Sequence, residues 1–313
     1  MTAFMKPTVN EINKNVNGNR EAYIASCEQR YRDEIRSLAE TIKNGTQQIV
    51  MIAGPSGSGK TTTAHLLEQH LAGLSVNPSV VSLDDFYLDR GKGPVDENGK
   101  PDYETVYSLD IPEINRCFSE IIETGKCVMP LFDFETGRRK DNGHLIDISG
   151  GGVLIVEGLH ALNPLLSEML PSESIYKVYI SVSQSIFDDE GNTVLTSRQM
   201  RLMRRMSRDD IYRGASPQKT FDMWESVVKG EEKYLYGFKP TADRIITTLH
   251  DYEPCVFRFR VLDLLSRIDP ESEDYSYVVK TARGLAEFCD LDESFVPENS
   301  LLREFLHPAK TDK

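Results

Sequence analysis

Two rhythms of apolar residues alternate along the chain. Short, nearly unbroken apolar runs at Gln48–Ala53, Ser79–Leu83, Val153–Val156, Lys177–Val182 and Arg244–Thr248 read as strands covered on both faces, the habit of parallel sheets. Between them the period lengthens to that of helices, at Lys60–Leu71 and across Pro112–Glu123. Strands alternating with helices predict an α/β fold, a doubly wound parallel five-stranded sheet with right-handed crossovers. One segment interrupts the alternation. Val128–Ile148 holds two extended runs about a polar Gly137–Gly143 turn and reads as an inserted β-hairpin.

Both ends read as helical extensions. Residues 1–19 look like a loose polar leader, after which Ile24, Cys27, Tyr31, Ile35, Leu38 and Ile42 recur at helical spacing up to an Asn44-Gly45 stop. Beyond residue 250, Phe257, Val261, Leu264, Leu265 and Ile268 form one apolar stripe. Val278, Ala282, Leu285 and Phe288 form a second, before a tail at Pro297–Phe305. The expected organisation is therefore 1–46 for leader and first helix, 47–250 for the α/β domain and 251–313 for a helical extension.

The junction of the first strand and helix carries the strongest chemical signal. Gly54-Pro55-Ser56-Gly57-Ser58-Gly59-Lys60-Thr61 fits GxxxxGK[ST], with a strand before it and a helix after it. Glycines let backbone N–H groups turn toward phosphate oxygens, and the helix start at Lys60 aims its positive dipole end at the same place. Lys60 then neutralises the outer phosphates of a nucleotide and the Thr61 hydroxyl is a Mg²⁺ ligand, with Thr62 beside it. These residues predict a P-loop and ATP with Mg²⁺.

Carboxylates at two strand ends complete the expectation. Ser82-Leu83-Asp84-Asp85-Phe86-Tyr87 closes the second run, at the edge where doubly wound sheets bind ligands. Asp84 there can take the proton of an attacking hydroxyl, or merely cap a turn. Glu157 ends the third run and can hold Mg²⁺ on the far side. Arg198, Arg201, Arg205 and Arg208 fall on one predicted helix face, with Arg204 beside them and Arg213 after them. This stripe reads as a lid, about residues 196–216, that brings guanidinium groups to transferred phosphate. A solvated face paired with Asp209 and Asp210 is the plainer alternative.

Charge narrows the partners. With 49 acidic and 36 basic residues among 313, the formal charge is −13. Such a surface repels nucleic acid and anionic lipid, so the arginine stripe is a local exception. Apolar runs stop well short of the roughly 20 residues of a membrane span, and no signal core precedes them, so a cytoplasmic protein is expected. Cys27, Cys117, Cys127, Cys255 and Cys289 form no CxxC and have no His at ligand spacing, which reads as reduced thiols and no structural metal. Assembly into homo-oligomers is compatible with all of this.

Taken in order, GPSGSGKTT, SLDDFY, DYETVYSLD, PLFDF, VLIVEGLHAL, RLMRRMSRDDIYRG and FKPTAD resemble the uridine kinase/phosphoribulokinase family of P-loop kinases, over about Gln48–Thr248. TFDMWESVVKGEEKY and VPENSLLREFL look like a bacterial uridine kinase-like branch. The resemblance implies Asp84 as catalytic base, Tyr87 and Glu104 as holders of the nucleoside and its ribose hydroxyls, and Phe132 and Phe134 as walls of the base pocket. It implies Glu157 on the Mg²⁺ side and Arg205, Arg208 and Arg213 around the phosphates. Typical members carry Tyr at the Phe132 position, His at Gly137 and a further arginine at Ala215. Ribose and phosphate handling are thus expected to persist while base selection shifts.

The expected function is an ATP-dependent nucleoside kinase, with uridine or cytidine as default acceptor and a purine nucleoside as a competing one. A second reading keeps the kinase and changes the acceptor to a sugar phosphate or pantothenate, with Arg138, Arg139 and Lys140 supplying positive charge. A third is a nucleotide-binding regulator without turnover.

Overall fold

The computed structural model describes residues 6–95, 99, 101–140 and 142–308. Its centre is the expected parallel sheet: β1 (Ile49–Ala53), β2 (Pro78–Ser82), β3 (Val153–Glu157), β4 (Ile175–Ser181) and β5 (Arg244–Thr247), in the order β5-β4-β1-β3-β2. Every neighbouring pair is parallel, and β1 is central, with Met51 between Val156 and Lys177. All five β1 residues are buried. They alternate between two cores, as a period of two requires. Val50 and Ile52 face one cluster and Ile49, Met51 and Ala53 the other.

Nine α-helices are described. On the first face lie α1 (Val9–Asn17), α2 (Arg20–Lys43), α3 (Lys60–Gly73) and α5 (Ser197–Tyr212), with α8 (Glu253–Ser266) and α9 (Tyr275–Ala286) behind them. Both terminal segments therefore enter the same core as one face of the sheet. The second face is covered by α4 (Ile111–Thr124) and the inserted hairpin. That insert pairs Lys126–Met129 with His144–Asp147 and, nearer its tip, Phe132–Asp133 with Arg138–Arg139. Short helices α6 (Pro217–Asp222) and α7 (Trp224–Tyr234) follow α5. No described helix is long and apolar enough to cross a membrane.

One expectation fails at the start of the chain. Residues 9–17 are not a loose leader but a helix, α1. Thr8 caps it by accepting from the Glu11 N–H at 3.3 Å, a contact worth about 1 kcal/mol. Val9, Ile12 and Val16 are buried at helical spacing, and Asn13 ties α1 to the far end of the fold through Glu287 O (2.9 Å) and Cys289 N (2.8 Å). Tertiary packing overrides the poor helix propensity of an Asn-rich segment.

Candidate active site

The chain leaves β1 at Ala53, turns through Gly54–Gly59 and enters α3 at Lys60. Two glycines are obligatory here. Gly57 (φ +74°) and Gly59 (φ +83°) lie in the left-handed region. A Cβ on Gly57 would stand 2.8 Å from the Arg201 carbonyl oxygen, and one on Gly59 2.6 Å from Leu301. The Lys60 ammonium reaches back to Pro55 O at 3.4 Å, and Ser58 Oγ is buried without a hydrogen-bond partner. At the next residue, Thr61 Oγ1 donates to Glu157 Oε1 at 3.3 Å, joining the helix start to the end of β3.

Buried ion pairs lock this loop from behind. Glu231 on α7 accepts from the Ser56 N–H at 2.7 Å and from Arg201 at 2.8 Å, while Arg201 also donates to Ser56 O at 3.0 Å. Arg204 donates to Gly57 O (3.2 Å) and Thr248 O (2.7 Å) and pairs with Glu253 at 2.6 Å, with neither charged group exposed. The arginine stripe is therefore divided. Arg201 and Arg204 face the interior as struts, and Arg198 pairs with Glu232 at the surface (2.6 Å). Arg205, Arg208 and Arg213 line the cleft. The physical cause is a helix packed on several sides, so that its buried positions wrap well beyond one stripe.

The cleft itself has a volume of about 210 Å³. Its lining includes a donor wall, Ser56, Gly57, Gly59, Lys60 and Thr61, and a second wall, Asp84, Tyr87 and Glu104, together with Glu157 at the end of β3. Gly54, Ser58 and Thr62 belong to the loop and first helical turn without lining it. Asp84 sits in the 3-10 turn Leu83–Phe86, whose cap Ser82 accepts from its N–H at 3.2 Å. Asp84 meets solvent although protein encloses its carboxylate on most sides. That enclosure pushes its pKa up, against the pull of Lys60, and Asp85 adds to the rise. Burial likewise raises Glu157, opposed by Lys60, and raises Glu104, opposed by Arg205. All three carboxyls are thus primed for a cation or a proton.

Asp209, nearly buried on α5, gathers the cleft arginines: Arg205 at 3.4 Å, Arg208 at 3.0 Å and Arg213 at 3.6 Å. Arg205 also donates to Ser56 Oγ at 2.8 Å. Across the cleft, the Tyr87 ring meets Phe132 (5.9 Å), Phe134 (6.3 Å) and Tyr103 (6.5 Å). Phe132 and Phe134 lie one ring outside the cleft and do not line it. Gly137 adopts φ +66°, and the Arg90 guanidinium occupies the space a Cβ there would enter, at 2.8 Å.

A sequence profile described as "Phosphoribulokinase / Uridine kinase family" matches residues 49–253, more than half of the chain. The chain belongs to that family. A uridine kinase of Staphylococcus aureus (strain JH9) is 30% identical over 201 residues, covering 63% of this chain and 86% of that protein. Among solved structures, a possible uridine kinase from Bacillus stearothermophilus is 19% identical, covers 69% of this chain and 98% of its own and gives a TM-score of 0.46. D-glycerate 3-kinase from Cryptococcus neoformans is 15% identical, with 73% and 94% covered and a TM-score of 0.44. The protein is a phosphotransferase acting on an alcohol acceptor, of a kinase family that implies ATP as its other substrate.

Residues of this family member that sequence reasoning missed are mostly carboxylates. Glu231, Glu253 and Glu304 contact the loop or its arginines, and Asp209 appeared only as a surface partner of the stripe. The partners of the three glutamates lie 30, 49 and 96 or more positions away, so no local spacing marks them. The one available signal was acidic residues at buried positions of helices α7 and α8.

Proposed function

We propose that this kinase transfers the γ-phosphate of ATP to the 5′-hydroxyl of a ribonucleoside, with uridine or cytidine as default acceptor. One observation carries the reading: Asp84 and Glu104 line the same cleft as Lys60 and Thr61. Glu104 accepts from both hydroxyls of the ribose, a role that suits a two-oxygen carboxylate. Asp84 takes the 5′-hydroxyl proton as that oxygen attacks the γ-phosphorus, the bond to the β–γ bridging oxygen breaks, and ADP leaves with the electron pair. Arg205, Arg208 and Arg213 spread the charge of the transferred group. Tyr87, with Phe132 and Phe134 behind it, covers the nucleoside.

Thr61, Glu157 and Asp84 present only oxygen donors, as a hard divalent cation requires, and Lys60 offsets the burial of the Glu157 carboxylate only in part. Mg²⁺ bound there with ATP would supply neutralisation of the outer phosphate oxygens.

The sugar-phosphate alternative loses support from the hairpin. Arg139 is paired with Asp110 at 3.0 Å, and Arg138, Arg139 and Lys140 do not line the cleft. ADP release measured over a panel of nucleosides, sugar phosphates and pantothenate tests the proposal. We expect turnover with a nucleoside, reduced by about 10²–10⁴-fold in Asp84→Asn, the usual worth of a general base. Because Asp84 is held above its ordinary carboxylate range, the acid limb of kcat/KM should lie above pH ~4 and change in the variant, leaving the part due to Glu104 and Glu157. Turnover confined to a phosphorylated sugar, or ATP binding with no acceptor-stimulated turnover, overturns it.

A further inference from the structure

The tail that follows α9 passes along the cleft and lines it with Glu304. Ser300 caps a 3-10 turn, Leu301–Phe305, that is pinned along α5. Ser207 Oγ donates to Phe305 O at 2.6 Å, and the Tyr212 hydroxyl donates to Leu306 O at 2.6 Å. The Phe305 ring lies 5.3 Å from the buried Arg204 guanidinium, and Leu301 closes over Gly59 of the phosphate loop. These anchors carry Glu304 to the first turn of α3. There Oε2 accepts from Thr62 Oγ1 at 2.6 Å, and Oε1 stands 3.8 Å from Arg208.

A carboxylate thus occupies a place whose chemistry calls for phosphate. Thr62 is the third residue of α3, within the turn whose N–H groups lack intrahelical partners and whose dipole favours an anion. Arg208 is one of the cleft arginines, and Glu304 lines the same cleft as Lys60. Nucleotide phosphates entering between Lys60 and Arg208 bring like charge against this carboxylate, so both cannot hold the same donors.

We propose that Glu304 is a further residue of the donor site, a built-in anion that holds Thr62 and Arg208 and yields them to an inner phosphate of the bound nucleotide. The anchors of the tail backbone are independent of this contact, so the exchange needs only a rotation of the Glu304 side chain. Its consequence is a lowered affinity for ATP and ADP alike, and the returning carboxylate speeds release of ADP. The inference rests on the reading that the loop binds ATP.

Calorimetric titration of ADP into the full chain tests it, with no acceptor present. Glu304→Gln keeps an acceptor for Thr62 and removes the charge; Glu298→Gln makes the same change of net charge at an exposed tail position. We expect Glu304→Gln to bind ADP about tenfold more tightly, with the gain shrinking at high salt, and Glu298→Gln to match the parent. Glu304→Ala, which leaves no acceptor, should shift the same way. Parent-like or weaker binding by both Glu304 variants, with thermal unfolding unchanged, overturns the inference and leaves the kinase reading standing. A parent chain that binds no ADP sinks both.

Discussion

The donor and acceptor walls of the cleft are built by opposite means. On the donor side, Ser56 and Gly57 are held through their backbone groups by Glu231, Arg201 and Arg204, whose charges are themselves buried. On the acceptor side, Tyr87, Tyr103, Phe132 and Phe134 meet by ring edges near the surface, with Phe134 59% and Tyr103 50% exposed. A phosphate chain is the same in every turnover, so its cradle gains from being fixed before binding. An exposed aromatic wall instead gains its stabilisation when a ligand covers it. Under the proposed function, the rigid wall sets what reaction is run, and the open wall what compound enters.

The sharpest way to break this contrast is to remove one strut. Arg204→Met leaves Glu253 buried without its cation, and loss of one partner of a buried pair costs about 3–5 kcal/mol. Arg205→Met, one residue along, leaves Asp209 with Arg208 and Arg213 and should cost well under half as much. Urea unfolding of both variants measures the difference. Equal losses would mean that α5 is not divided into struts and cleft residues.

A smaller effect separates the walls by pH. His160, just beyond β3, is buried with its ring 6.1 Å from Tyr234, and the Glu104 backbone offsets its burial only in part. Burial pushes its pKa down to about 4. As the pH falls from 6.5, the unfolded chain takes up the proton first, so native stability is lost until the folded pKa is reached. Between pH 7.5 and pH 5 this amounts to about 2 kcal/mol. His160→Gln should flatten the pH dependence of unfolding by that amount. A slope identical to that of the parent would show that the ring is charged or solvated in the native state.

The donor wall was also the more legible in sequence. Its loop, strand and helix are contiguous from Ile49 to Thr61, and Glu157 announces itself by ending the apolar run Val153–Val156. Helical spacing could place the arginines on α5 but could not tell core from cleft, because the long aliphatic stems of arginine fit either. What decided between them was Glu231 and Glu253, 30 and 49 positions away. The same limit hid Glu304, which meets Thr62 across 242 positions. In α1, Asn10, Asn13, Asn15 and Asn17 disguised a helix that the Thr8 cap, the buried Val9, Ile12 and Val16 and the long-range bonds of Asn13 stabilise. On the acceptor side, the aromatic residues were visible, while their distance from the cleft depended on the register of the inserted hairpin.

The least drastic test falls on that register. If the nucleoside reading holds, Phe134 is the ring with most surface left for a base to cover, and its edge contact with Phe132 at 5.1 Å keeps it upright. Removing an aromatic contact of this kind costs about 0.5–1.5 kcal/mol, so Phe134→Ala should raise the acceptor KM roughly two- to tenfold. Neither ATP affinity nor folding stability should follow, because an exposed ring supports little of the core. Steady-state kinetics with each substrate varied in turn reads the two KM values separately. Were the ATP KM to rise and the acceptor KM to stay, the aromatic wall would belong to the nucleotide instead, and the division between a fixed donor side and an adaptable acceptor side would have to be redrawn.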